Sequence, residues 1–322
     1  MNHTSQIRLS FLLLLIALLG GCATESIQTS PFVAVLGTAQ DGGIPQIGCD
    51  GVRCTAARED PNRRRLVASL LIADPSTNER WLIDATPDLP EQVALANRLA
   101  PLSSNETAGR PNLFNGIFLT HAHIGHYSGL VHLGREVYGA RETLLLTSER
   151  MQRFLEANGP WSQLVSLRNV VFKRLVPGVK LRLNASLSVT PHLVPHRDEF
   201  SDTLAFEVHG PTRTVLFLPD IDKWDKWNQP LEEVLARADR AYIDGTFFGD
   251  GEIPGRAMSE IPHPFIEETI ARLAPLPPSE RAKVVFIHLN HTNPAATPFS
   301  SAANAIKVAG HSVAVEGEVF DL

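Results

Sequence analysis

Three imidazoles fall within six residues, His121-Ala122-His123-Ile124-Gly125-His126, directly behind the apolar run Ile117 to Leu119. A short buried strand that empties into such a cluster constrains the fold, because it must end where a cation can be reached. In extended chain, residues two apart point to the same side, so His121 and His123 can approach one ion. His126 points elsewhere once the chain turns. Imidazole suits zinc and other borderline first-row metals. A catalytic site takes about three protein ligands and keeps one position open for water.

Further candidates stand at the ends of other apolar runs. Asp84 closes Trp81-Leu82-Ile83, His196 follows Val189 to Val194, and Asp220 follows Thr214 to Leu218. His288 follows Val284 to Ile287, with His291 as its competitor. Singly, each is more simply a structural histidine, a helix cap or a turn former. The ordered set carries the argument.

Between these points, β-rich runs alternate with helix-patterned ones. Strands are expected at Phe32 to Leu36, Leu66 to Ile72, Trp81 to Ile83, Ile117 to Leu119, Val171 to Leu175, Leu187 to Leu193, Thr203 to Val208, Thr214 to Leu218, Ala241 to Ile243 and Val284 to Leu289. Helices are expected at Pro90 to Leu99, Leu130 to Tyr138, Leu231 to Ala238, Phe265 to Leu273 and Ala302 to Val308. Ser103 to Asn112 reads as a loop. Two similar β-rich halves with helices imply two packed mixed sheets with helices outside, an α/β sandwich.

Thr120 to His126 resembles the HxHxDH signature of the metallo-β-lactamase superfamily, an αββα sandwich. The resemblance implies metal ligands at His121, His123, His126, His196, Asp220 and His288, with Asp220 bridging two ions and Asp84 structural. Leu36 to Gln46 running into Cys49, Asp244 to Phe248, Ile261-Pro262-His263 and Ile287 to Pro294 resemble the family of pyrroloquinoline quinone biosynthesis protein B (PqqB), and more loosely PhnP-type phosphodiesterases. Gly125 departs from the signature: it stands where the superfamily places an Asp, leaving the second site with only His126, Asp220 and a distal His. His263, Asp244, Asp250 and Glu252 are candidates to line the same cleft, and Asp41 in the Gly-rich loop is a candidate to approach the metal.

At the N-terminus, Arg8 precedes an apolar run, Phe11 to Leu19, that is too short to cross a bilayer, which takes ~20 residues. Leu19-Gly20-Gly21-Cys22 resembles a bacterial lipobox. It implies a signal peptide over residues 1–21, a lipid on Cys22, a tether over 22–30 and a domain over 31–322 on the periplasmic side of the outer membrane. Cys49 and Cys54 read as a disulfide or free thiols, with a partial zinc site as the rival. A net charge of −6, without a concentrated basic patch, gives no sign of a nucleic-acid surface, and none is expected as a partner.

The expected function is a metallo-hydrolase of one or two zinc ions, with metal-bound hydroxide attacking an ester, amide or phosphodiester of a small molecule. Asp220 and His263 are its catalytic candidates. Two alternatives stand beside it: an iron-dependent oxidative enzyme of the PqqB type, and a non-catalytic periplasmic carrier connected with pyrroloquinoline quinone.

Overall fold

Alternate residues of the strands are buried against different partners, and that alternation sets the layers. In the computed structural model, which describes residues 28–102 and 111–322 apart from 254 and 256, there are two seven-stranded sheets. The first contains β1 (Phe32–Gly37), β2 (Ser69–Asp74), β3 (Glu79–Ile83), β4 (Gly116–Phe118), β5 (Thr143–Thr147) and β6 (Val170–Arg174). The second contains β7 (Leu181–Arg182), β8 (Ser188–Val194), β9 (Thr203–His209), β10 (Thr214–Leu218), β11 (Arg240–Asp244), β12 (Val284–Ile287) and β13 (Ser312–Val313). A last strand, β14 (Val319–Asp321), returns to the first sheet and pairs antiparallel with β1.

Val33, Val35, Leu70, Ile72, Phe206, Phe217, Tyr242 and Val285 meet between the sheets. Their neighbours one residue away face outward, Ala34 and Leu71 under helices of the first half, Leu216 and Ile243 under helices of the second. The result is the αββα sandwich the sequence implies.

Each sheet is half antiparallel and half parallel. β1, β2 and β3 form a meander, and β3 to β6 run parallel. Likewise β7 to β10 are antiparallel and β10 to β13 parallel. Parallel neighbours need crossovers, supplied among others by helices Leu89–Leu99, Glu149–Ala157, Leu231–Ala236, Ile266–Leu273 and Ser301–Val308. The parallel strands therefore all end at the same edge.

Some elements differ from expectation. The strand expected from Leu66 begins at Ser69, because the Leu66 carbonyl is taken by the amides of Thr38 and Ala39. The helix expected over Leu130 to Tyr138 is a 3₁₀ turn, Ser128–Leu133. Its entry is set by Gly129, where a Cβ would lie 1.9 Å from the Thr86 carbonyl oxygen. Helices Val52–Glu59, Glu149–Ala157 and Trp161–Ser166 and strand β5 fall outside the expected elements. The signal segment, Cys22 and most of the tether lie outside the described residues, as does most of the Ser103 to Asn112 loop. Among the described residues no helix is long and apolar enough to cross a membrane.

Glu316, in the turn before β14, accepts the Leu66 amide at 2.6 Å. Burial, with Asp88 nearby, pushes its carboxyl from 4.5 up to about 7. A carboxyl with a raised folded-state pKa favours the fold below pH 4.5 and loses that contribution as pH rises through 7. Glu316→Gln should therefore unfold at higher denaturant than the parent at pH 8, by on the order of 2 kcal/mol, and match it near pH 4.5. An equal effect at both pH values would contradict this account.

Candidate metal centre

The chemistry-bearing residues collect at the strand ends. Asp84 follows β3, the histidine cluster follows β4, His196 follows β8, Asp220 follows β10, Asp244 ends β11 and His288 follows β12. Asp84 (φ 67°) and His288 (φ 65°) adopt the left-handed region. Side chains rarely do so outside sites that the surroundings over-determine.

His121, His123 and His196 form one group of potential metal donors, and His121 Nε2 lies 2.8 Å from His123 Nδ1. Asp41, His126 and His288 form a second. The buried Asp220 carboxylate lies between them. Its Oδ2 is 3.6 Å from His121 Nε2, 2.9 Å from His126 Nε2 and 3.3 Å from His288 Nε2, while Oδ1 is 3.8 Å from His196 Nε2. His196 Nε2, His126 Nε2 and His288 Nε2 are buried without a hydrogen-bond partner among the described residues. Polar atoms buried in that state call for a ligand.

The opposite ring nitrogens are held from behind. Asp84 accepts the Thr120 amide at 2.8 Å and the Thr120 hydroxyl, and its Oδ2 lies 2.7 Å from His126 Nδ1. The Thr120 hydroxyl also stands 3.0 Å from His121 Nδ1. The second half repeats the arrangement. Asp244 accepts from the amide and hydroxyl of Thr246, its Oδ2 is 2.7 Å from His263 Nδ1, and the Thr246 hydroxyl is 3.0 Å from His288 Nδ1. Glu199 holds His123 Nε2 at 3.0 Å, which leaves Nδ1 for the cluster. Such outer partners fix which nitrogen of each ring faces a metal.

The electrostatics point the same way. Burial would raise the carboxyl of Asp220, yet the imidazoles around it, led by His288, hold it well below the usual range. Asp41 follows the same logic against His126 and His288. Burial would lower His126, but Asp84, Asp220 and Asp41 raise it well above its ordinary value. His121, buried and beside His126, is pushed well down. The cluster is a sink for positive charge, which a proton or a metal ion can supply.

All the histidines expected as ligands come together, as do Asp220 and His263. His288 stands in one of the donor groups, whereas His291 belongs to none among the described residues, and its carbonyl accepts from Arg53. Of the carboxylates considered near His263, only Asp244 reaches the site. Asp250 accepts the Gly251 amide in a turn, and Glu252 caps the amides of Phe248 and Gly249. Gly125 does not leave the second group without a carboxylate other than Asp220. Asp41 Oδ1 stands 3.5 Å from His126 Nε2 and 3.9 Å from His288 Nε2. Cys49 and Cys54 form a disulfide, so neither thiol is left for a metal. Thr120, Thr246 and Glu199 were not expected, although Asp244-Gly245-Thr246 had marked its segment.

The chain belongs to the beta-lactamase superfamily domain family, whose pattern it matches over residues 79–289, more than half its length. Within it the chain is homologous to proteins of coenzyme PQQ synthesis. It is 28% identical to the coenzyme PQQ synthesis protein B of Rhodopseudomonas palustris (strain ATCC BAA-98 / CGA009), over 88% of this chain and 97% of that one. It is 26% identical to the same protein of Klebsiella pneumoniae (strain 342), over 90% and 98%. The zinc-bound PqqB structure from Methylobacterium extorquens superposes with a TM-score of 0.71 at 22% identity, over 90% of this chain and all of the other. A diphosphatase of the PhnP family superposes with a TM-score of 0.60 at 20% identity, over 91% and 97%.

Removing the Asp84 carboxylate strands the Thr120 amide and His126 Nδ1 in the core. Asp84→Ala should cost about 3 kcal/mol or more in urea unfolding of the metal-stripped protein. A cost under about 1 kcal/mol would show that the carboxylate does not organise the cluster.

Proposed function

We propose that the protein is a metal-dependent hydrolase of a small molecule, with zinc as its preferred ion and an ester, amide or phosphodiester as the bond cleaved. The observation that carries this reading is the set of donor groups that overlap around one buried carboxylate, Asp220. The donors are imidazole and carboxylate, a set that suits zinc, and their unpartnered atoms converge. When bound, the ion supplies Lewis acidity and makes water nucleophilic at neutral pH.

The chain's own residues would divide the remaining work. His121, His123 and His196 would hold one cation, His126 and His288 a second, and Asp220 would face both. His263 is the proton carrier. Burial would lower its pKa, but Asp244 at 2.7 Å and Asp220 raise it, so it holds a proton to give to a leaving group. Similarity to coenzyme PQQ synthesis proteins supports a small-molecule substrate. The lipobox-like Leu19 to Cys22 supports attachment through Cys22 on the periplasmic side of the outer membrane, and an oxidising compartment suits the Cys49–Cys54 disulfide.

The test uses full-length protein, with zinc content read by elemental analysis and turnover read on nitrophenyl esters and bis(nitrophenyl) phosphate. His121→Ala should lose zinc and turnover together. His263→Gln should keep its zinc and lose ~10²- to 10⁴-fold in kcat. Less than half an equivalent of bound zinc in the parent protein overturns the reading, as does turnover that survives a chelator. Ferrous iron with oxygen consumption in anaerobically purified protein would replace it with the oxidative alternative.

A further inference from the structure

Gly125 is the second residue of the short helix Ile124–Tyr127, just after His121 and His123. A Cβ built on it would lie 2.2 Å from Asp41 Oδ1, 2.7 Å from Asp41 Cα and 3.0 Å from Asp41 Cγ. No side chain fits there while Asp41 holds its position. The carboxylate of Asp41 fills the space in which a residue at 125 would place its own.

Asp41 is not a stray loop residue. The loop after β1 is tied to the segment carrying His288: the Leu289 amide donates to the Thr38 carbonyl at 2.9 Å and the Gln40 amide to the Leu289 carbonyl at 2.9 Å. The side-chain amide of Asn290 donates to that of Gln40. Asp41 Oδ1 is itself buried and has no hydrogen-bond partner among the described residues, like His126 Nε2 and His288 Nε2 that it faces. Donors about 2.1 Å from a tetrahedral zinc stand roughly 3.4 Å apart. Asp41 Oδ1, His126 Nε2, His288 Nε2 and Asp220 Oδ2 show separations of 3.5, 3.9, 2.9 and 3.3 Å. Asp41 Oδ1, His126 Nε2 and His288 Nε2 lie close enough together to hold one cation, and the shared Asp220 carboxylate stands beside both imidazoles.

We propose that Asp41 and Gly125 form one device, in which Asp41 supplies from the β1 loop the carboxylate of the second cation position and Gly125 is the space that admits it. The inference rests on the reading of the cluster as a metal site. A merely structural Asp41 would pair with His126 and change stability without changing metal stoichiometry.

Full-length protein, stripped of metal and titrated with Zn²⁺ against a competing chelator, separates these cases, with thermal melting of each metal-free variant as the check on folding. The parent should take up two equivalents. Asp41→Ala should keep one and bind the other at least ~100-fold more weakly. Gly125→Ala, which drives a methyl into Asp41, should behave alike. The exchange variant Asp41→Ala/Gly125→Asp should regain the second equivalent, because its new carboxylate starts where the old one stood. Unchanged binding of two equivalents by Asp41→Ala overturns the inference while leaving the hydrolase reading intact, and so does a single equivalent in the parent. No zinc bound by the parent overturns both.

Discussion

The structure is organised around a buried negative charge. Asp220 lies just past the central strand of the second sheet and is almost fully shielded from water, yet its carboxyl is held well below the usual range. An isolated carboxylate cannot do that; it needs positive charge and donors within a few ångströms. The fold meets this need by bringing imidazoles from three strand ends to Asp220, and it can do so because parallel strands finish at one edge. That edge exists only because both sheets turn from antiparallel meanders to parallel runs. Packing between the sheets, through residues such as Phe118, Phe206 and Phe217, sets the distance between the two halves of the site.

Imidazoles alone would not be enough, since each must present one chosen nitrogen. The two halves solve this with the same chemistry. A buried Asp takes the amide and hydroxyl of a Thr, that hydroxyl meets one histidine, and the second carboxylate oxygen meets another. In the first half both histidines, His121 and His126, face the cluster as donors. In the second, one is His288, which faces the cluster, and the other is His263, whose Nδ1 meets Asp244. The left-handed turns at Asp84 and His288 cost on the order of 1–2 kcal/mol each. Each residue's hydrogen bonds hold it there.

Much of this was legible in the sequence. Apolar runs such as Thr214 to Leu218 and Val284 to Ile287 have a strand's composition, and the residues just past them bore the donors. The set His121, His123, His126, His196, Asp220 and His288 is recognisable because each follows a buried strand. What stayed hidden has physical reasons. Helices Glu149–Ala157 and Trp161–Ser166 are short and bury only Met151, Leu155 and Leu164, so tertiary packing rather than propensity fixes them. Glu252 and Asp250 share a segment with His263, but Gly249 and Gly251 turn their carboxylates back onto local amides. Thr120 and Thr246 matter through their hydroxyls, which nothing in a linear pattern distinguishes from ordinary strand-end threonines.

Gly125 shows the limit most sharply. Along the chain it reads as a loss, a donor position with no side chain. In space it is a vacancy shaped for another residue, because Asp41, brought in by the backbone pairing of its loop with Leu289, lies within 2.2 Å of where a Cβ would begin. A missing ligand and a supernumerary acidic residue far apart in sequence are thus two halves of one geometric fact. Steric exclusion couples them more tightly than any attraction would: Asp41 cannot take its place unless position 125 is glycine, and glycine there leaves a hole unless something fills it. The same reasoning applies wherever a metal-site motif appears broken at a single glycine, since the excluded volume around that glycine identifies the residue that stands in for it.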